Sequence, residues 1–382
     1  FHLLSSIATG GLVRRESIGN FFASTFLGNS QSSPYLQETI DRMLCWLVEK
    51  RFIRRKIMGK AEQENWDDET PDWVEIAKST SGVGFKSQTE VRVLEPKFGF
   101  QKASNISYSN EMSYEPNDTE YESTPMGERV SQLYIDPLSA DIMIQGLRRA
   151  VRRLVRRDMP VTEFSLCHLV SATPDFIPFW AKSSELAIGS ELRQKSALVD
   201  DELLTSATID ERALGLVKSA WCAEMWYNEK ELRDIEKQIG ASPGDVHSRV
   251  DLISWLLLAA REVLLRDDVF AEEHLDSVTN LARMIDVTRL RVRSGCKEDL
   301  LRLVQVRNVG RNRARELSKM GIRTPADLLK MTNKDLDKLK SKRGWGPKLV
   351  DRIIESVKKL SIESTIPDVR SDDEPLEGEH QY

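Results

Sequence analysis

LLRLVQVRNVGRNRARELSKMGIRTPADLLKM, residues 300–331, holds an apolar run of Leu300, Leu301, Leu303, Val304 and Val306 that meets a break at Asn308-Val309-Gly310. Beyond the break Ala314 and Leu317 resume an apolar face at helical spacing, so the stretch predicts helix, tight hairpin, helix. Gly310 is expected to give the turn backbone angles that a Cβ opposes, and to bare the first amides of the second helix as a seat for phosphate. Arg311, Arg313 and Arg315 then line that seat with positive charge. The pattern recurs in SKRGWGPKLVDRII, residues 341–354, where Gly344, Gly346 and Pro347 repeat the hairpin among Lys342, Arg343 and Lys348. Two basic hairpins in tandem are a more specific signal than one.

Charge is segregated along the 382 residues, whose net charge is only -5. From Arg291 to Lys359 there are 20 Lys or Arg against 8 Asp or Glu, whereas Ser361 to Tyr382 carries 7 acids and one Arg. A phosphate-binding surface is therefore expected locally and not over the whole chain. The four cysteines, Cys45, Cys167, Cys222 and Cys296, stand far apart, which fits a reducing intracellular compartment and gives no zinc spacing. No apolar run is long enough to span a membrane, and the first residues lack a signal pattern. The chain opens on Phe1, already in helical pattern, and is expected to be a piece of a longer one.

Outside the hairpins the reading is mainly helical. Two short helices are expected between His2 and Phe26, broken at Gly10-Gly11. A stronger one follows Ser33-Pro34, with Leu36, Ile40, Met43, Leu44, Leu47 and Val48 as its face, and Phe52-Ile53 leads into a strand. Helices followed by a small β-ribbon point to a winged helix over residues 1–136, which either binds DNA or only packs protein. Within it, residues 56–120 are acidic and rich in Ser, Asn, Gly and Pro, with short β-like pieces such as residues 90–94, and are expected to be an insertion or long wing. From residue 137 a helix is traced by Leu138, Ile142, Ile144, Leu147, Val151, Leu154 and Val155. Six arginines, Arg148, Arg149, Arg152, Arg153, Arg156 and Arg157, occupy much of its remainder, either steering nucleic acid or forming a solvated, acid-paired face. Further helices are expected over residues 164–171, 176–188, 210–226, 229–238 and 274–292. Between the last two, Ser242-Pro243 opens a long helix whose stripe is Val246, Val250, Ile253, Leu257, Ala260 and Leu264. Trp255 lies off that stripe beside Ser248 and Asp251, where an indole can stack on a base or pack against a neighbouring helix.

No phosphate loop of the G-x-x-x-x-G-K-[ST] kind, no magnesium-binding Asp-Glu pair after an apolar strand, no G-x-S-x-G and no H-E-x-x-H occurs in the sequence. The chain is thus expected to hold no catalytic residue, metal or cofactor of its own. The hairpin pair resembles a helix-hairpin-helix domain, a module that grips nucleic-acid backbone without reading sequence. HLLSSIATG, LQETIDRMLCWLVEKRFI, MGERVSQLYIDPLSA, HLVSATPD (168–175), PGDVHSRVDLISW and the first hairpin together resemble the C-terminal half of archaeal superfamily II DNA helicases, the Hjm type related to the Ski RNA helicases.

That resemblance implies a winged-helix domain (1–136), a helical-bundle ratchet domain (137–293), a tandem helix-hairpin-helix domain (294–360) and an acidic tail without fixed structure (361–382). It implies two upstream ATPase domains, which would use ATP and magnesium, and movement of single-stranded or forked DNA in the 3′ to 5′ direction. In the family the ratchet helix touches the strand through an arginine and a tryptophan two turns apart. Trp255 matches the tryptophan, while the position seven before it is Ser248, and Arg249 is turned aside by about a third of a revolution. The DNA-contacting set implied is therefore Trp255, Arg249, Ser248, Gly310, Arg311, Arg313, Arg315, Gly344, Gly346 and Lys348. Repair or replication restart in the cytoplasm, at the nucleoid, is the expected setting, with the acidic tail docking a replication protein or keeping the chain in solution. The rival readings are a free-standing DNA-binding or scaffold protein and a repair glycosylase. The latter would need a catalytic Asp with a base-sized pocket, and Asp327 and Asp351 follow the hairpins without one.

Overall fold

The computed structural model describes residues 1–30, 32–56, 116–157, 160–181, 211–267 and 274–363. The β-like piece at residues 90–94, most of the acidic insertion, residues 182–188 and the tail from residue 364 lie outside the described residues. The chain divides into two compact units, Phe1–Pro137 and Leu138–Tyr382.

In the first unit, helices α1 (His2–Ala8), α2 (Arg15–Ala23), α3 (Phe26–Ser30) and α4 (Ser33–Glu49) precede strand β1 (Ile53–Lys56). Strand β2 (Glu120–Ser123) returns antiparallel to β1, pairing Ile53 with Ser123 and Lys56 with Glu120, and helix α5 (Pro125–Gln132) follows. Pro34 in the first turn of α4 suits a position whose amide has no intrahelical partner. Leu36, Ile40, Leu44 and Leu47 are buried as α4 packs on α2 and β1, and Leu3, Leu4 and Ile7 are buried as α1 packs on α5 and β2. Met43, expected on that face, is instead 38% exposed. The buried Arg15 and Asp41 pair with each other, which removes the cost of leaving either charge alone in the core.

The second unit begins with α6 (Pro137–Arg156), α7 (Glu163–Ser171), α8 (Glu211–Tyr227), α9 (Leu232–Ile239), α10 (Pro243–Leu264) and α11 (Leu275–Ser294). The hairpin region adds a short 3-10 turn (Glu298–Leu300), α12 (Leu301–Val304), α13 (Arg311–Lys319), α14 (Pro325–Leu329), α15 (Asn333–Ser341) and α16 (Pro347–Glu363). Mainly helical architecture is what the periodicity asked for. At the start of α10 the Ser242 hydroxyl accepts from the Asp245 amide, and Pro243 fills the first turn. Its predicted stripe is buried throughout, and Leu256, Ala259 and Val263 are buried as well, because α10 packs along α11 and against α7 and α8.

Three expectations fail locally. The helix expected from Phe176 is absent over Phe176–Ala181: Pro178 biases its predecessor toward extended backbone, and the Phe179 amide donates to Ser219 Oγ at 3.0 Å instead of entering a helix. Helix α9 starts at Leu232 and not at Glu229, since Glu229 holds a left-handed φ of 66° that no helix continues. On α6, Leu138 and Val155 are 43% and 44% exposed, while Met143, Ile144, Leu147, Ala150 and Val151 are the residues that pack.

Candidate nucleic-acid interface

The two hairpins are built alike and share one core. Val309 and Trp345 are the buried centres of the two turns. The Val309 amide donates to the Val306 carbonyl and the Trp345 amide to the Lys342 carbonyl, each at 3.0 Å. One residue earlier the chain takes a left-handed φ, 69° at Asn308 and 84° at Gly344. Behind the turns, Leu303, Ala314 and Leu317 of the first repeat join Leu339, Val350 and Ile353 of the second in a single apolar cluster.

The glycine expectation needs correcting at Gly310. Its φ of -79° and ψ of 175° are extended angles open to any residue, and the position demanding left-handed geometry is Asn308, a residue type that tolerates it. Gly310 and Gly346 instead leave the helix starts uncovered: a Cβ built on either meets nothing within 4 Å. The starts of α13 and α16 are therefore open on the glycine side, as a phosphate seat requires, although in α16 Pro347 has no amide and the Leu349 amide is taken by the Gly346 carbonyl at 2.9 Å.

The arginines of the first hairpin turn toward the helical bundle. The Arg311 guanidinium lies over the Trp226 ring, 4.0 Å from its centroid, and burial pulls its pKa below the usual arginine value. That indole, at the end of α8, donates to the Val292 carbonyl at 2.8 Å and packs so closely on Gly295 that a Cβ there would come within 2.5 Å of the ring. Arg315 donates to Glu229 and to Asp299, its Nε reaching Glu229 and its Nη1 Asp299 at 2.7 Å each. Hydrogen bonding to these two carboxylates raises the Arg315 pKa. Burial alone would raise Glu229, yet Arg315 and the Lys297 amide overcome it and hold the carboxyl below its ordinary range. Arg313 bonds its own turn, Nη1 to the Asn308 carbonyl at 3.0 Å, bracing the left-handed residue. Thus Arg311 and Arg315, placed by sequence around the phosphate seat, form a joint between hairpin and bundle.

The second hairpin is open. Lys342 and the Trp345 indole both reach Glu316, at 2.9 and 2.7 Å, holding that carboxyl below its ordinary range and tying the turn to α13. Arg343, Gly344, Gly346 and Lys348 are exposed. On α10, Trp255 is half-buried on the helix's least covered face, with Ser248 and Asp251 exposed beside it. Arg249 lies over the Phe179 ring at 5.5 Å, and its Nη1 donates to Ser248 Oγ at 3.0 Å. The structure thus brings Ser248 and Trp255 onto one face and sets the Arg249 guanidinium between Ser248 and the Phe179 ring.

Sequence reasoning passed over Trp226, Glu229 and Trp345. The one signal available for Trp345 was its place between two glycines, where an indole has no solvent role. His168 opens the HLVSATPD stretch and is fully buried, and burial pushes its pKa down to about 4. Ser171 and Thr173 in the same stretch donate to the carbonyls of Cys167 and Val170 at 2.8 Å, so that motif is core and helix ending. Among the described residues no His, Cys, Asp or Glu cluster could hold a metal ion. No described helix is long and apolar enough to cross a membrane.

Residues 164–295 match a family model described as archaeal helicase, domain 4, and residues 300–359 match one described as a SAM-like helix-hairpin-helix tandem. Similar curated proteins include the ATP-dependent DNA helicase Hel308 of Thermococcus kodakarensis, 29% identical over 69% of this chain and 22% of that protein. Hel308 of Methanocella arvoryzae is 30% identical over 59% of this chain and 29% of its own length. Hel308 of Pyrococcus abyssi is 26% identical over 92% of the chain and 38% of its length. The chain spans less than half the length of these relatives. These matches liken residues 164–295 to an archaeal helicase domain 4, residues 300–359 to a helix-hairpin-helix tandem, and the chain to part of Hel308-type archaeal helicases.

Proposed function

We propose that this chain is the strand-holding C-terminal region of an ATP-dependent 3′ to 5′ DNA helicase of repair or replication restart. In this reading residues 1–136 form a winged helix, 137–293 a ratchet domain whose Trp255 stacks on a base, and 294–360 a clamp on the backbone. ATP and magnesium belong to upstream motor domains, and the chain supplies grip and geometry. Ser248 and Trp255 offer a polar and an aromatic contact two turns apart on α10. The tandem receives phosphate at the open starts of α13 and α16, where Gly310, Gly346, Arg343 and Lys348 face outward, while Arg311 and Arg315 fix the angle of the clamp. A forked substrate and a replication protein at the acidic tail complete the expected set of partners.

The observation that carries this reading is the pair of uncovered helix starts, presented by two like-built hairpins on one core. It is tested by Gly310→Asp with Gly346→Asp. Aspartate is a favourable residue just before a helix and meets no neighbour here, so the fold should keep its stability while phosphate is repelled. Fluorescence anisotropy with a labelled single strand should show about tenfold weaker binding or more, with Tm unchanged or raised; Trp255→Ala should lose a further 1–3 kcal/mol or so of stacking. Undiminished affinity in both variants sinks the proposal.

A further inference from the structure

The arginine row on α6 is used by neither the hairpin clamp nor the α10 face. Arg148 is committed: its Nε and Nη2 donate to the nearly buried Asp267 at 2.8 Å each. Beyond it, Arg152 Nε donates to the Arg148 carbonyl at 3.3 Å. Arg152, Arg156 and Arg157 are exposed, and Arg149 and Arg153, Arg152 and Arg156, and Arg153 and Arg157 are each four residues apart, stacking like charges along one side of the helix. Crowding by the surrounding protein first, then the charges of Arg149, Arg156 and Arg148, pull Arg152 below the usual arginine value. Arg153 keeps a buried Nη1 with no hydrogen-bond partner among the described residues. Arg157 ends the helix at a left-handed φ of 55°, a place that glycine takes more easily. Attraction to the helix C-terminus explains cations in the last turn only, and Arg149 and Arg152 stand before it.

Resting on the DNA-binding reading above, we propose that the Arg149–Arg157 face of α6 is a second nucleic-acid backbone site. From Arg149 to Arg157 the helix rises about 12 Å, the axial length over which one strand of a B-form duplex presents about three phosphates. Guanidinium groups suit phosphate because their planar donors engage two oxygens at once. Contacts of this kind carry no sequence preference, so the site adds grip and register to the hairpin clamp.

The test uses the whole chain, a labelled single strand and salt titration of its affinity. Arg152→Gln, Arg156→Gln and Arg157→Gln are combined and compared with the three Arg→Lys changes and with Gly310→Asp plus Gly346→Asp. The Gln variant should bind at least fivefold more weakly at low salt, and its log K against log salt slope should shrink by about 2, at roughly 0.7 per lost contact. The Lys variant should keep the slope, and Tm should match the parent in both. An unchanged slope in the Gln variant, while the hairpin variant loses affinity, overturns this site alone. Equal loss in the Lys and Gln variants also overturns it, since charge would then not be the cause. A parent chain that binds no strand at all overturns this site together with the DNA-binding reading.

Discussion

The first hairpin and the second share a backbone and a core, but their charged residues point to different places. In the first, Arg311 and Arg315 are held by Trp226, Glu229 and Asp299, so the turn is bolted to the helical bundle. In the second, Lys342 and Trp345 close on Glu316 within the tandem, and Arg343 and Lys348 remain exposed. A repeated apolar pattern thus dictates a repeated fold, while the polar residues laid over it are free to diverge. Basic residues beside an open turn need not face a ligand; they can equally be the joint that aims the turn.

The largest effect should come from removing the joint's centre. Trp226→Ala deletes a buried indole, its hydrogen bond to Val292 and the platform under Arg311, and should cost about 3–5 kcal/mol in urea unfolding. If the loss is below about 1 kcal/mol, the first hairpin is not bolted at all.

Acid should separate bundle from joint. His168 has a folded pKa near 4 against an ordinary value near 6.5, so the unfolded chain binds the extra proton first. Its contribution is complete above about pH 6.5 and is lost as pH falls toward 4, by up to about 3 kcal/mol. Glu229, held below the ordinary carboxylate range, contributes above about pH 4.3, and that part is lost only as pH falls further. In His168→Leu the first phase should vanish and the joint's phase remain, which thermal unfolding across pH would show.

The two turns should also respond differently to a methyl group. Gly344→Ala forces a left-handed alanine and should cost about 1–2 kcal/mol, whereas Gly310→Ala should stay within about 0.5 kcal/mol. Equal costs would contradict the backbone geometry. Smallest is the ion pair: a double-mutant cycle on Arg315→Ala and Glu229→Ala should give about 1 kcal/mol of coupling, shrinking at high salt because the pair is partly exposed.

Much of this fold was legible in the sequence because burial imposes period. The α10 stripe, the α4 face and the apolar halves of both hairpins follow from it directly. What failed did so where one local constraint outranked the pattern: Pro178 kept Phe176–Ala181 out of a helix, and the left-handed Glu229 delayed α9. At Gly310 the residue type suggested strained angles, but the strain lies two residues earlier at Asn308. The joint was not legible, since Arg315 stands 86 residues from Glu229 in sequence and neither residue, nor Trp226, carries a local pattern that names its partner. Spacing shows that a cation exists near a turn; only packing shows which carboxylate or ring it faces.

Salt-dependent binding of a labelled single strand, measured for Arg343→Gln plus Lys348→Gln and for Arg315→Gln, tests the difference between the hairpins most directly. The account predicts that the first variant loses affinity and about 1.4 of the log K against log salt slope, while the second keeps the parent's slope and loses stability instead. A reversed outcome, with the slope falling in Arg315→Gln and unchanged in the Arg343 and Lys348 variant, would contradict it.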